Sequence, residues 1–168
     1  MGTVNPPEAL IVMGVAGSGK STVGQQLAAE LGWQFNDADG FHPPENVAKM
    51  SAGIPLTDGD RAPWLSAIRE HLGACLARGQ GVVVTCSALK ETYRRVIRVD
   101  PERVKLVYLQ GSRDLLWERI TSRKDHFMKP SMLDSQLATL EEPIDALTLD
   151  IAADTKSLVA AIRHAYSL

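Results

Sequence analysis

The eight residues GVAGSGKS, from Gly14 to Ser21, constrain this chain more than any other stretch. They fit the pattern G-x-x-x-x-G-K-[ST], in which a glycine-rich loop joins a strand to a helix and holds phosphate groups on its backbone N–H groups. The surrounding sequence agrees with this pattern, because an apolar run at 9–13 precedes the loop and apolar residues recur at helical spacing from Val23 to Leu31. A glycine-rich turn that fits by chance is the alternative, and the flanking strand and helix patterns disfavour it.

The loop predicts a site for a nucleoside triphosphate with Mg²⁺. Glycines let the backbone approach phosphate oxygens, and the start of the following helix adds unpaired N–H donors. Lys20 is expected to reach the β- and γ-phosphates, and the hydroxyl of Ser21 to bind Mg²⁺. The predicted nucleotide-binding residues of the loop are Gly14, Val15, Ala16, Gly17, Ser18, Gly19, Lys20, Ser21 and Thr22.

Length and composition limit the number of domains, the kinds of partner and the cellular location that can be expected for this chain. The 168 residues suit one domain, 1–168, and a formal net charge of −2 gives no basic field for a nucleic-acid partner. We expect no membrane association, because no apolar run approaches the roughly 20 residues of a membrane helix and the first residues do not resemble a signal peptide. Cys75 and Cys86 lack metal-ligand spacing, which favours buried thiols in a reducing compartment over a disulfide. The expected location is the cytoplasm.

Helical and strand patterns alternate along the chain, which is typical of the α/β class with a parallel sheet covered by helices. The predicted strands lie at 9–13, 33–37, 81–86, 104–109 and 147–151. Residues 38–60 look irregular apart from a short helix around 45–50, and Pro63 is expected at the start of the next helix with Asp60 at its N-terminal end. Further helices are predicted at 88–98, 112–123, 134–140 and 155–166.

Polar residues follow the second and third predicted strands. Ligands of open α/β sheets gather beyond the carboxyl ends of the strands, which makes Asp37, Asp39, Ser87 and Lys90 candidates. In an extended segment the side chains of Asp37 and Asp39 lie on the same side. One carboxylate could then help to hold Mg²⁺ while the other accepts a proton from a substrate hydroxyl. A solvated Asp-x-Asp-Gly turn is the alternative.

The long segment that follows is rich in polar groups and poor in regular structure. Loops of this length inside a compact domain are usually functional, although a surface salt-bridge cluster is the alternative. Trp64, just beyond it, is expected to pack in the core rather than to stack on a ligand. The polar residues of the segment are His42, Lys49, Asp58, Asp60 and Arg61.

A basic patch lies late in the chain. Arg119 and Arg123 are four residues apart on one face of a predicted helix, and Lys124, His126 and Lys129 follow. Phosphoryl transfer uses cations over the transferred group and a lid that excludes water, which makes about 123–133 a candidate lid. A solvated helix face is the alternative, and His126 alone is more often a structural residue.

Taken together, these stretches closely resemble the bacterial gluconate kinases. The resemblance runs from about residue 9 to residue 143. The shared stretches are the phosphate loop, DADGFHP at 37–43, Asn46, KMSAGIPLTDGDRAPWL at 49–65, CSALK at 86–90, Tyr93 with Arg94, HFM at 126–128 and SQLATLE at 135–141.

The resemblance implies a P-loop enzyme of the nucleoside-monophosphate-kinase-like type, with a five-stranded parallel sheet in the order 2-3-1-4-5. The implied reaction transfers a phosphoryl group from ATP, with Mg²⁺, to the 6-hydroxyl of D-gluconate. A homodimer is an expectation from the family alone.

The resemblance also implies roles for individual residues. By analogy with the related shikimate kinases, Asp37 assists Mg²⁺, Asp39 is the base and Arg61 grips the acceptor carboxylate. Arg119 is the implied adenine-stacking cation and Arg123 the implied lid cation. The implied catalytic residues are Lys20, Asp39 and Arg123. The implied acceptor-binding residues are Asp39, His42, Lys49, Arg61, Ser87, Lys90, Arg94 and His126.

Three positions depart from the family pattern. Asp125 replaces the usual glycine before the lid histidine, Arg95 replaces an acidic residue, and Gly59 replaces a more common acidic residue. Two alternatives to gluconate phosphorylation stay open at this point. One is the same fold acting on another small acid or a nucleotide, such as shikimate, and the other is a nucleotide-binding regulatory domain without transfer activity.

Overall fold

The computed structural model describes residues 5–122 and 131–168. Within them, five parallel strands form one sheet in the order β2-β3-β1-β4-β5. The strands are β1 (Ala9–Met13), β2 (Gln34–Asp37), β3 (Val82–Thr85), β4 (Val104–Gln110) and β5 (Leu147–Asp150). The strand order expected from the family resemblance is confirmed, as is the alternation of strands and helices.

Helices connect successive strands and cover the sheet. They are α1 (Lys20–Leu31), α2 (Pro44–Ser51), α3 (Asp58–Ala77), α4 (Glu91–Ile97), α5 (Arg113–Ser122), α6 (Ser131–Thr139) and α7 (Thr155–Tyr166). A short 3₁₀ helix, Ala38–Phe41, follows β2 directly. No helix among the described residues is long and apolar enough to cross a membrane.

The central strand β1 is completely buried, and its side chains alternate between the two faces of the sheet. On one face Ile11 packs in a cluster that includes Ile68 of α3. On the other face Leu10 packs in a cluster that includes Leu27 of α1 and Ile162 of α7. This two-sided burial explains why the sequence of β1 is an unbroken apolar run, and it fixes the strand end from which the phosphate loop emerges.

The start of α3 differs from the prediction. Thr57 is the N-cap residue: its hydroxyl accepts a hydrogen bond from the Asp60 N–H, and the Asp60 carboxylate accepts one from the Thr57 N–H. This reciprocal capping box places Pro63 inside the helix and not at its first position. The prediction that the helix begins at Pro63 was wrong because the capping box of Thr57 and Asp60 starts the helix earlier, although Pro63 has no N–H to donate within it.

Both cysteines are free and buried, as expected. Burial raises the pKa of the Cys86 thiol to about 12. A thiol with so high a pKa stays protonated and unreactive at neutral pH, so Cys86 contributes to packing.

Candidate active site

The phosphate loop connects β1 to α1 and depends on its glycines. Gly17 and Gly19 have φ angles of 82° and 86°, in the left-handed region that favours glycine. A Cβ atom on Gly17 would lie 2.9 Å from the side chain of Ile120, and one on Gly14 would lie 2.9 Å from the carbonyl oxygen of Leu109. The loop is therefore seated so closely on its neighbours that larger residues do not fit.

The start of α1 suits an anion. Gly19 is the N-cap residue and provides no side-chain hydrogen bond to the first turn, and that turn carries no acidic residue. The N–H groups of a first helical turn have no partner within the helix, and the helix dipole favours negative charge there. The Lys20 ammonium donates a hydrogen bond to the carbonyl oxygen of Val15 at 3.2 Å, which holds its side chain across the loop. These features fit the phosphates of a nucleoside triphosphate, with Ser21 exposed at the same helix start.

A cleft of about 380 Å³ adjoins the loop and separates it from the segment that joins β5 to α7. Arg119 lines this cleft, and its guanidinium donates a hydrogen bond to the carbonyl oxygen of Ile151. The cleft lies beside the phosphate loop, and the role of Arg119 in stacking on adenine stays a prediction. The lining residues are Gly17, Ser18, Gly19, Thr22, Val23, Arg119, Ser122, Ala153, Asp154, Thr155 and Leu158.

Asp37 and Asp39 lie at the carboxyl end of β2, but not in an extended segment. Asp37 caps the 3₁₀ helix, and its carboxylate accepts a hydrogen bond from the Asp39 N–H at 2.9 Å. The expectation of two carboxylates on one side of an extended chain was wrong, because the Asp37 side chain turns the backbone immediately after the strand. Both residues remain at the edge of the sheet where ligands of this fold class gather.

The electrostatic surroundings of Asp39 are unusual. Its carboxyl is accessible to solvent, yet the protein atoms crowded around it raise its pKa, and the charge of Asp37 raises it further. His42 and Lys20 oppose this shift in the pKa of Asp39. Burial lowers the pKa of His42, while Asp39 raises it and Arg61 lowers it. Asp39 is thus within electrostatic reach of Lys20 and His42, and His42 is within reach of Arg61.

Two buried side chains hold the segment after β2 in place. The indole of Trp64 donates a hydrogen bond to the carbonyl oxygen of Ala38 at 2.7 Å, and its ring stacks on His42 with centroids 4.4 Å apart. The amide nitrogen of Asn46, which is only 3% exposed, donates to the carbonyl oxygen of Asp60 at 2.8 Å and contacts the His42 ring at 3.2 Å. Trp64 is therefore a core residue, as expected. It also orients His42, which is predicted to bind the acceptor.

A cluster of Asp58, Arg61, Lys90 and Tyr93 joins α3 to α4, and we call it the basic cluster. The Tyr93 hydroxyl donates to the Asp58 carboxylate at 2.6 Å and accepts from the Arg61 guanidinium at 3.1 Å. The Lys90 ammonium lies 3.3 Å from the same Asp58 oxygen. Arg61 and Lys90 both lie over the Tyr93 ring, 5.6 and 5.5 Å from its centroid. Two cations against one carboxylate leave an excess of one positive charge, which suits a singly charged anionic ligand.

Lys49 is also predicted to bind the acceptor, and here its ammonium forms an ion pair with Asp60 at 2.9 and 3.0 Å. The hydrogen bond from Lys49 is the largest of the effects that lower the pKa of Asp60 to about 2, and the Thr57 N–H adds to it. The same carboxylate thus caps α3 and fixes Lys49 beside it.

We expect Asp60→Asn to lower the Tm by a few degrees at pH 7, because it removes the ion pair with Lys49 and replaces the charged acceptor of the capping box by a weaker, neutral amide oxygen. A carboxyl with a lowered pKa stabilises the fold at pH values above its unfolded pKa of about 3.9, and this contribution is lost as the pH falls toward 2. The Tm difference between wild type and variant should therefore shrink as the pH drops below about 4. Thermal unfolding followed by circular dichroism from pH 7 downward measures this. Asp114→Asn, in the first turn of α5, is the matched control; an equal and pH-independent loss in both variants would contradict the assignment.

Arg94 lies behind the loop that follows β3 and is only 5% exposed. Its guanidinium donates to the carbonyl oxygens of Ala88 at 2.7 Å and Leu89 at 3.2 Å. Ala88 has a φ angle of 47°, a conformation that is strained for a residue with a side chain. Arg94 thus stabilises the loop that carries Ser87 and Lys90, and its direct contact with an acceptor stays a prediction.

Two predicted site residues, Arg123 and His126, lie outside the described residues, as does most of the predicted lid at 123–133. A second cleft, of about 570 Å³, is lined by α4 and by residues 141–145 and contains none of the phosphate-loop residues. Tyr93 and Gln136 had no predicted role, and the structure brings both to the site through hydrogen bonds with Arg61 and Ala16. Both fall in stretches that resemble the gluconate kinases, and this resemblance was the signal available for them.

Comparison with known proteins agrees with this geometry. The family model described as shikimate kinase matches residues 16–161. The fold, the phosphate loop and the carboxylates at the strand ends define a P-loop kinase of the shikimate kinase type.

Individual relatives show which family within the shikimate kinase type this chain belongs to. A gluconokinase of Gluconobacter oxydans is 50% identical over 139 residues, which cover 83% of this chain and 78% of that protein. A probable gluconokinase of Mus musculus is 46% identical over 82% of this chain and 84% of its own length. The crystal structure of a gluconokinase from Sinorhizobium meliloti superposes with a TM-score of 0.85 at 43% identity, over 97% of this chain and 95% of that one. The chain belongs to the gluconokinase family.

Proposed function

We propose that this protein transfers the γ-phosphoryl group of ATP to the 6-hydroxyl of D-gluconate, giving 6-phosphogluconate and ADP. One observation carries the proposal: the Asp39 carboxyl lies within electrostatic reach of both Lys20 and His42, and His42 in turn lies within reach of Arg61. A carboxyl near both a phosphate-loop lysine and His42 is suited to receiving an acceptor hydroxyl beside a phosphoryl group. The family relatives named gluconokinase support gluconate as that acceptor.

On the donor side, the N–H groups at the start of α1 and the Lys20 ammonium would hold the triphosphate. Mg²⁺, when bound, neutralises phosphate charge, and the hydroxyl of Ser21 and the carboxylate of Asp37 would hold it. The hydrogen bond to the carbonyl oxygen of Val15 keeps the Lys20 ammonium at the loop, where it would meet a β- or γ-phosphate oxygen. Arg119 would contact the base in the adjoining cleft.

On the acceptor side, the basic cluster would bind the carboxylate of gluconate. Arg61 presents a planar guanidinium that matches a carboxylate with two parallel hydrogen bonds, and Lys90 adds a second cation. Asp58 and Tyr93 hold both cations in place. With the acid group bound here, the far end of the six-carbon chain would have to meet Asp39.

Asp39 would orient the 6-hydroxyl and accept its proton as the bond to phosphorus forms. The raised pKa of Asp39 makes the carboxylate a better base than an ordinary exposed one. His42, held by Trp64 and Asn46, is close enough to influence the charge on Asp39 and to take part in binding the acceptor hydroxyls.

We expect Arg61→Met to raise the KM for gluconate about 30- to 100-fold with a smaller change in kcat, since a charged hydrogen bond contributes roughly 1.5–3 kcal/mol and two can form. Steady-state kinetics at saturating Mg-ATP measures this. Arg69→Met is the matched control on the same helix, where the arginine instead donates to the carbonyl oxygen of Val96. A variant whose KM for gluconate equals that of wild type would remove Arg61 from the acceptor site.

The first test of the function is ADP release from Mg-ATP with D-gluconate, beside wells that contain shikimate or AMP. We expect release with gluconate alone, and a phosphorylated C6 in the product by ³¹P and ¹³C NMR. Release with another acceptor only would overturn the choice of gluconate and keep the kinase fold. No release with any acceptor, despite bound ATP, would favour a regulatory nucleotide-binding domain.

The proposal also includes action as one domain in the cytoplasm and as a homodimer, the last resting on the family resemblance. Light scattering coupled to size-exclusion chromatography measures the molar mass in solution. A mass near 18.3 kDa would show a monomer, and about twice that value would show the dimer.

A further inference from the structure

A side chain from α6 reaches into the phosphate loop from 120 residues further along the chain. The side-chain oxygen of Gln136 accepts a hydrogen bond from the backbone N–H of Ala16 at 2.7 Å. Ala16 lies in the middle of the loop, where backbone N–H groups are the usual phosphate ligands. Both residues are partly buried. Gln136 therefore sets the orientation of the Ala16 N–H group.

The peptide unit that contains this amide is held at both ends. The N–H of Ala16 and the carbonyl group of Val15 belong to the same planar, trans peptide and point in opposite directions. The Val15 oxygen accepts hydrogen bonds from the Ser18 N–H and from the Lys20 ammonium, both at 3.2 Å. A rotation of this peptide plane would break the bond to Gln136 on one side and release the Lys20 ammonium on the other.

Gln136 can hold the loop because α6 is fixed to the rest of the fold. Leu133 is completely buried against the face of the sheet that α1 covers. The Asp134 carboxylate binds the Arg113 guanidinium through two hydrogen bonds, of 2.7 and 3.1 Å. Beyond the helix, Glu141 donates its N–H to the carbonyl oxygen of Leu89 and accepts from the Glu91 N–H, both at 2.8 Å. The position of the Gln136 side chain is thus set by contacts on either side of it.

We propose that Gln136 is a positioning residue for phosphoryl transfer: it fixes the Val15–Ala16 peptide plane, whose carbonyl group holds the Lys20 ammonium in place. This inference rests on the proposed kinase function. It gives α6 a role at the site of transfer through a backbone peptide, without contact between Gln136 and the reacting atoms.

Amide hydrogen exchange tests the structural part of this inference without any turnover. In ¹⁵N-labelled protein, Gln136→Met is expected to speed the exchange of the Ala16 amide about tenfold or more, because a hydrogen bond of about 1.4 kcal/mol corresponds to a tenfold change in an equilibrium. Gln136→Glu keeps an acceptor oxygen at the same reach, so the amide should stay protected in that variant. Unchanged exchange in Gln136→Met would show that the bond does not hold the loop.

Steady-state kinetics tests the functional part. We expect Gln136→Met to lower kcat about 10- to 100-fold, the scale of a small misplacement of a catalytic group, and to change the KM for ATP by less than about threefold. Gln25→Met is the matched control, at an exposed position of α1. A kcat equal to that of wild type, or a purely structural pattern in which only the Tm falls, would overturn the proposal.

A double-mutant cycle with Lys20→Arg shows whether Gln136 acts through Lys20. If it does, Gln136→Met should lower kcat far less in the Lys20→Arg background than in wild type. Equal factors in both backgrounds would overturn the proposal. A wild-type protein that releases no ADP with gluconate would refute the proposed function instead, and the exchange of the Ala16 amide would still decide whether Gln136 holds the loop.

Discussion

Replacing Lys20 by methionine is expected to lower kcat about 1,000-fold or more. Phosphoryl transfer depends on positioning and on neutralising the charge that develops on the phosphoryl oxygens, and a fixed cation at that point is worth several kcal/mol. Methionine keeps most of the length of the side chain and removes the charge. Because Lys20 is held at 3.2 Å from the Val15 oxygen, its ammonium is in place before ATP arrives and its loss should affect kcat more than the affinity for ATP.

Coupled detection of ADP with D-gluconate measures kcat, and calorimetric titration with a non-hydrolysable ATP analogue measures affinity. Lys105→Met is the matched control, because Lys105 lies on β4 and its ammonium donates to the carbonyl oxygen of Pro101. The variant and the control should both unfold within a degree or two of wild type. Near-normal turnover by Lys20→Met would refute the assignment of the phosphate loop as the site of transfer.

The features that sequence reasoning predicted correctly are local ones. The phosphate loop is defined by eight consecutive residues, and the strand and helix beside it follow from apolar runs and helical spacing in the same stretch. The buried strand β1 reads as an apolar run because both of its faces pack on helices. The order of the strands is not a local property, and it came from the family resemblance.

Two errors came from neighbouring signals that competed within a few residues. Pro63 is a common first residue of a helix, but Thr57 and Asp60 cap each other one turn and a half earlier and set the start. Asp39 was expected beside Asp37 on an extended chain, but the Asp37 carboxylate accepts the N–H of Asp39 and bends the backbone. In both places a side-chain to backbone hydrogen bond overrode the simpler pattern.

The contacts that organise the site could not be predicted, because they join distant parts of the chain. Tyr93 holds Arg61 and Asp58 across more than 30 residues, and Gln136 reaches Ala16 across 120. Arg94 donates to two backbone carbonyl oxygens of the loop after β3, a role that its place in the sequence did not indicate. A sequence shows which residue types are present, whereas the packing of α3, α4 and α6 decides which of them meet.

The second large effect is expected at Asp39, where Asp39→Asn should lower kcat about 100- to 10,000-fold, the contribution of a general base. The same change should raise the Tm at pH 7. Crowding by protein atoms and the nearby Asp37 raise the pKa of Asp39, so the folded protein binds this proton more tightly than the unfolded chain does. Stability is then lost as the pH rises from the unfolded pKa of about 3.9 through the higher folded one, and at neutral pH the charged carboxylate destabilises the fold. Asparagine removes that charge.

The pH dependence separates this role from a general loss of structure. The acid limb of kcat/KM should follow the pKa of Asp39 in the free enzyme, and Asp37→Asn should move it to lower pH because one source of repulsion is gone. Carboxyl ¹³C NMR of Asp39 measures the same shift directly, independently of any effect of Asp37 on Mg²⁺. A charged Asp39 that serves catalysis should lower the stability of the fold, so removing the charge should raise the Tm. An Asp39→Asn variant that is both inactive and less stable than wild type would therefore contradict the role of Asp39 as a desolvated base. An acid limb that stays in place in Asp37→Asn would assign the base to another group.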